Sequence, residues 1–217
     1  MGIKSQKYKL VMFDMDGTLI DGRSIFVFSE KKGFKDKLLR SLQSDKEPYE
    51  KTIEIAQFLH GTSSIELLEI FRKIPLHNNV EKVAQKLREK NVKTAVVTDS
   101  YQFIADDLKK RLHFDYAFAN NLIIEQGIVT GKININNSSL KRCETGVIYS
   151  ICKGLVLDQL YTMLNITPAE VIAVGDGVVD IGMIKKAGLG IAYNASEQVQ
   201  KNADIITNDL AVVLDYI

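Results

Sequence analysis

Apolar residues along the chain fall into two kinds of pattern. Short apolar runs at Tyr8–Phe13, Thr94–Thr98, Tyr116–Ala119, Val171–Val174, Gly190–Tyr193 and Asp204–Ile206 read as strands. Between them, apolar positions recur with a helical period. Asn79–Lys90 places Val80, Val83, Ala84 and Leu87 on one face. Further helices are expected over Gln102–Leu112, from about Val147 to Leu164, over Ile181–Ala187 and over Glu197–Asn202, with a last turn at Leu210–Tyr216. Leu122–Ile135 reads as a β-hairpin turning at Glu125-Gln126-Gly127. The stretch from Asp21 to about Asn78 contains no clear strand. Within it, Tyr49–Leu59 carries apolar residues at Ile53, Ile55, Ala56, Phe58 and Leu59. Ser63 followed by Glu66 is a capping-box signature for a helix over Ile65–Ile74, which Pro75 is expected to end.

Strands alternating with helices predict an α/β fold: a mostly parallel sheet with helices on both faces, three layers in all. The helical stretch after the first strand is an insertion. At 217 residues and 46% hydrophobic, the chain can bury one sizeable core, or a core with a small insertion. No linker and no repeat of fixed period divides it.

Charge and cysteine content remove several classes. The net charge is +1 and the basic residues are spread out, so there is no nucleic-acid footprint. The densest basic group, Lys31, Lys32, Lys35 and Lys37, reads as a solvated helix face. Cys143 and Cys152 form neither a Cys-x-x-Cys pair nor a metal set, and are expected as reduced thiols in a cytoplasmic protein. No apolar run approaches the roughly 20 residues that a membrane-spanning helix needs. Met1–Gln6 lacks a signal-peptide core, and Gln6 stands where a myristoylation motif wants Ser or Thr. These six residues are expected to fray or to be partly a cloning remnant.

The chemistry gathers at strand ends. The first run stops in Asp14 and Asp16, followed by Gly17 and Thr18. If the backbone stays extended there, both carboxylates point to one side and repel. A hard cation such as Mg²⁺ is the usual compensator. A capping or turn role is the alternative for such a pair. The run Val171–Val174 leads in the same way into Asp176, Gly177 and Asp180, and Thr94–Thr98 ends in a hydroxyl. In open α/β sheets that edge is where ligands bind.

These residues resemble the haloacid dehalogenase superfamily. Asp14-Met15-Asp16-Gly17-Thr18-Leu19 is similar to its first motif, Thr98 to the second, Lys153 to the third and Gly175-Asp176-Gly177-Val178-Val179-Asp180 to the fourth. The phosphoserine phosphatase branch is the most similar, also over Asp115–Gly131 and from Lys153 through Gly190. The resemblance is weakest between Asp21 and Asn78. It implies a Rossmann-like core over 1–20 and 79–217 and a helical cap over 21–78. It also implies a strand order that sets Asp14, Thr98 and Asp176 side by side. For the site it implies Asp14 as nucleophile and Asp16 as general acid and then base. Mg²⁺ would be bound by the Asp14 carboxylate, the Asp16 backbone carbonyl and Asp176, with Asp180 acting from behind them or through water. Thr98 and the Asp99 backbone N–H would hold phosphate oxygens, and Lys153 would neutralise charge between Asp14 and the phosphate.

Each assignment has a plainer counterpart. Asp180 also suits the first turn of a helix, Thr98 an ordinary strand end, Lys153 a helix surface with Lys141 as the other candidate, and Arg23 solvent. The chain also departs from the resembling branch. Val179 replaces an Asn of the fourth motif. Thr98 is followed by Asp99, Ser100 and Tyr101 in place of two glycines and Phe. Arg23 stands where that branch places a Glu for the substrate ammonium, and Ile55-Ala56-Gln57 offers no arginine for a carboxylate. The sequence therefore reads as a Mg²⁺-dependent phosphatase of a small phosphomonoester other than phosphoserine, with Arg23 contacting substrate. Phosphoserine phosphatase itself, a phosphotransferase or mutase, and a non-catalytic phosphometabolite-binding protein remain the alternatives. A monomer and a homodimer are both open.

Overall fold

The structure, a computed structural model, describes residues 7–217; Met1–Gln6 and the expectations placed on them lie outside the described residues. Seven strands form one sheet: β1 (Leu10–Phe13), β2 (Lys93–Tyr101), β3 (Tyr116–Glu125), β4 (Ile128–Asn134), β5 (Val171–Gly175), β6 (Leu189–Tyr193) and β7 (Ile205–Thr207). Their order is β4-β3-β2-β1-β5-β6-β7, and only β3 with β4 is antiparallel. β1 lies between β2 and β5, with Phe13 opposite both Val96 and Val174. All four residues of β1 are buried, as a central parallel strand covered on both faces requires.

Four helices follow β1: α1 (Ser24–Lys32), α2 (Lys35–Gln43), α3 (Pro48–Phe58) and α4 (Ser64–Phe71). Then come α5 (Val80–Glu89), α6 (Gln102–Leu112), α7 (Lys153–Leu164), α8 (Ile181–Lys186) and α9 (Glu197–Gln200). Gly33 ends α1 at φ 75°, a left-handed position that glycine adopts without a Cβ penalty. On α5 the buried stripe is Val80, Val83, Ala84 and Leu87. One apolar cluster runs from the sheet (Val11, Phe13, Val96) into the inserted helices (Phe28, Leu38, Ala56, Leu67). A second covers the other sheet face, where Leu10, Met12 and Ala173 pack on Val156, Leu157 and Leu160 of α7. No helix among the described residues is long and apolar enough to cross a membrane.

Several local expectations shift. The hairpin turns at Gln126 (φ 49°) and Gly127 (φ 81°), a two-residue turn of the kind that matches strand twist. Its first strand is the continuation of the strand expected at Tyr116–Ala119. Ser63 caps α4 by accepting from the Glu66 N–H, but the Glu66 carboxylate pairs with Lys32 at 2.5 Å instead of closing the box. That helix ends at Phe71, short of Pro75.

The helix expected from about Val147 begins only at Lys153. The intervening carbonyls are already engaged: Val147 accepts from Cys143, Ile148 from Tyr49 and Ser150 from Asn137. Tyr149 accepts from the Asn137 side chain at 3.0 Å. Helical periodicity in the side chains does not reveal that the backbone acceptors are taken.

Candidate active site

The strand order puts three chain ends together. Asp14 follows the last residue of β1, and its N–H donates to Val174 O at 2.9 Å, tying it to the neighbouring strand. Asp176 follows β5, and Thr98 lies near the carboxyl end of β2. Gly17 has φ 90°, and a Cβ there would stand 2.6 Å from an Asp176 oxygen. Glycine therefore lets the loop after β1 lie against the loop after β5.

Lys153, the first residue of α7, is buried and hydrogen-bonds Asp14 directly. Its Nζ also lies 2.5 Å from Asp180 Oδ1. The other Asp180 oxygen accepts from the backbone N–H groups of Asp176 (3.1 Å) and Gly177 (2.8 Å). Asp180 thus anchors the lysine and the loop at once, combining the helix-turn role with a place in the site. Oxygens of Asp14, Asp176 and Asp180 all lie within 4.8 Å of one another. Asp180 is the most deeply committed of the three, with both oxygens tied to Lys153 and the loop backbone, whereas Asp14 meets Lys153 and Asp176 meets Thr18 and the half-exposed Arg23. Such hard oxygen donors suit Mg²⁺.

The Asp16 side chain turns the other way. It accepts from the Ser24 N–H at the start of α1 and lies 3.5 Å from Thr98 Oγ1. Thr98 in turn accepts from the Ser100 N–H at 3.1 Å. Arg23 sits just before α1, and its Nη2 is 3.1 Å from Asp176 Oδ2. Asp99 is exposed beside this group, with its carbonyl accepting from Asn120 at 2.7 Å. Lys141 is exposed on the loop before α7 and takes no part.

A model of the haloacid dehalogenase-like hydrolases matches residues 8–188. The chain belongs to that family. It is 30% identical to a phosphoserine phosphatase of Methanocaldococcus jannaschii, over 98% of this chain and 99% of that protein. It is 32% identical to one from Archaeoglobus fulgidus, over 92% of this chain but only 56% of that longer relative. A phosphoserine phosphatase solved as a phospho-aspartyl intermediate analogue superposes with a TM-score of 0.81 at 27% identity, covering 97% of this chain and 99% of that one. The chain is a phosphatase of the phosphoserine phosphatase type, a phosphoric monoester hydrolase.

In this hydrolase, burial and the neighbouring charges together set the titration of the site. Burial lifts the Asp14 carboxyl well above its usual range, opposed by the adjacent Lys153. Burial also lifts Asp16 to about 6, against the pull of the Ser24 N–H. Asp176 is raised by burial and by Asp180, with Arg23 and Lys153 opposing. Burial works against the Lys153 charge, but Asp14, Asp180 and Asp99 outweigh it and hold its pKa above the usual lysine value. A crowd of buried acids beside one buried lysine is an anionic site that favours a further cation.

Sequence reading missed several partners. Ser24 holds Asp16 through its N–H and shares a hydroxyl hydrogen bond with Ser100 at 3.0 Å. Thr18 donates to Asp176 at 3.4 Å. Cys143 and Cys152 are both free thiols, and the buried Cys152 Sγ lies 3.8 Å from Glu144 Oε2. Glu144 lies between α7 and α8 against Gly154 and Gly182, with Lys186 at 3.0 Å. A Cβ at either glycine would collide with that carboxylate. The packing against two glycines was the one available signal for Glu144, and it is visible only once α7 and α8 are placed together.

Proposed function

We propose that this hydrolase is a Mg²⁺-dependent phosphatase that acts on a small phosphomonoester through a phospho-Asp14 intermediate. The observation that carries the reading is the buried Asp14 carboxylate held by Lys153 beside Asp176. Asp14 and Asp176, with the Asp16 carbonyl, would hold Mg²⁺. When bound, the ion draws negative charge off the phosphoryl oxygens and lets an anionic nucleophile approach an anionic substrate. Two unit charges 4 Å apart at an effective dielectric near 20 repel by about 4 kcal/mol, so this neutralisation is the first requirement.

Asp14 attacks phosphorus, and the bond to the leaving oxygen breaks. Asp16 gives that oxygen its proton. With a pKa of about 6, it keeps an appreciable protonated fraction near neutrality. The ionised Asp16 then takes a proton from water, which attacks the phospho-aspartate and releases phosphate and free Asp14. Thr98, the Asp99 N–H and Lys153 hold the transferring group. Residues 21–78 act as a cap over a core of 1–20 and 79–217, with Arg23 bringing a positive charge to the cap side of the substrate.

Screening purified protein against a phosphometabolite panel with Mg²⁺ or with chelator tests this. Phosphate release from a small ester with Mg²⁺, and none in chelator, is expected. Full release in chelator, or none from any ester, would contradict it.

A further inference from the structure

A cavity of about 210 Å³ opens beside Asp16, between the end of β2 and helices α1 to α3. Its wall on the inserted-helix side is mostly apolar: Ile25, Phe26, Leu42, Pro48 and Ile55, faced by Tyr149. Leu42 is 39% exposed, so apolar surface is left uncovered at this wall. The polar groups on the same wall are engaged. Lys51 Nζ donates to the Leu42 carbonyl at 2.9 Å, and Thr52 Oγ1 to the Pro48 carbonyl at 3.1 Å. Arg23 is turned to Asp176. The two carboxylates that border the cavity, Asp16 and Asp99, both lie on the core side, where the phosphoryl group would sit. The helical wall offers no carboxylate for an ammonium group.

Resting on the phosphatase reading above, the geometry points to a phosphomonoester whose alcohol or phenol carries an apolar body, with its phosphate at Asp14 and that body in this cavity. A polar, zwitterionic amino-acid ester would have to shed water from its ammonium group against side chains that cannot replace it. An alkyl or aryl group instead covers Phe26, Leu42 and Ile55. A cavity of about 150 Å³ in another protein suffices for benzene, so about 210 Å³ admits a ring or a chain of several carbons.

The test is a series of linear alkyl phosphates, from ethyl to hexyl, compared with O-phospho-L-serine and glycerol 3-phosphate in the presence of Mg²⁺. kcat/KM is expected to rise about three- to fourfold for each added methylene until the cavity is full, and the best alkyl ester should exceed phosphoserine by more than about tenfold. Leu42→Asn should flatten the dependence on chain length. A flat series, or phosphoserine as the best substrate, would overturn the inference. Binding of the matching alkylphosphonates, measured by calorimetry, separates the two readings. Affinity that rises with chain length but no hydrolysis of any ester would sink the phosphatase reading while supporting an apolar pocket. Affinity independent of chain length would sink the pocket whatever the esters do.

Discussion

Asp16 holds a buried carboxyl that the fold shifts from 3.8 to about 6. A raised folded-state pKa means that the folded chain binds the proton more tightly than the unfolded chain. The resulting stabilisation is fully present below about pH 4 and is lost as pH rises through about 6. Two pKa units correspond to about 3 kcal/mol as an upper figure. Asp16→Asn should therefore stabilise the metal-free protein at neutral pH by on the order of 2 kcal/mol, with the gain vanishing in acid, while turnover is lost. Denaturant unfolding in chelator at several pH values checks this; a gain that persists below pH 4 would point to another cause. Arg23 is the second residue with a specific consequence. Its charge faces both Asp176 and the cavity. Arg23→Ala should raise KM for a phosphomonoester severalfold and lower the Mg²⁺ concentration needed for half-maximal rate. Both follow from removing one positive charge beside an anion and a cation site. Unchanged values of both would make Arg23 a surface residue.

Among the elements, the segment before α7 matters most for the site. Lys153 is the first residue of that helix, so whatever fixes the helix start fixes the lysine. Glu144 packs against that start from between α7 and α8, with Lys186 and the Cys152 thiol as partners. Glu144→Ala should lower kcat about tenfold, at a stability cost of about 1–2 kcal/mol, because it leaves Lys186 short of one partner and opens a gap at two glycines. A kinetic and thermal-unfolding comparison with wild type checks it; loss of stability with full kcat would detach Glu144 from Lys153. The start of α7 is not legible in the sequence because helical periodicity continues upstream while the backbone does not. The long β3 reads in sequence as two pieces because Asn120 and Asn121 interrupt its apolar run. By contrast α5 was legible residue by residue, since a surface helix on a sheet shows its buried stripe directly.

Over the whole molecule, the sheet and the acids at its edge were legible because each acid ends an apolar strand, and parallel strands deliver their ends to one side. The contacts that tune those acids were not. Arg23 with Asp176 joins positions 153 residues apart and no local period records it, while Lys153 beside Asp14, 139 residues apart, is legible only through the family resemblance. The anionic edge also sets a whole-protein expectation: rate should require Mg²⁺ and fall when Ca²⁺ is in excess. Mg²⁺ favours six ligands at about 2.1 Å, whereas Ca²⁺ takes more and longer ones. A metal titration of phosphate release checks this, and equal rates with either ion would contradict it.

The most direct test of the central claim is to quench the enzyme in acid during turnover and map any phosphoryl group by peptide mass spectrometry. The mechanism predicts one phosphoryl adduct on Asp14, formed only with Mg²⁺ and absent from Asp14→Asn, which should still fold. Turnover by Asp14→Asn within tenfold of wild type, or an adduct on another residue, would contradict it.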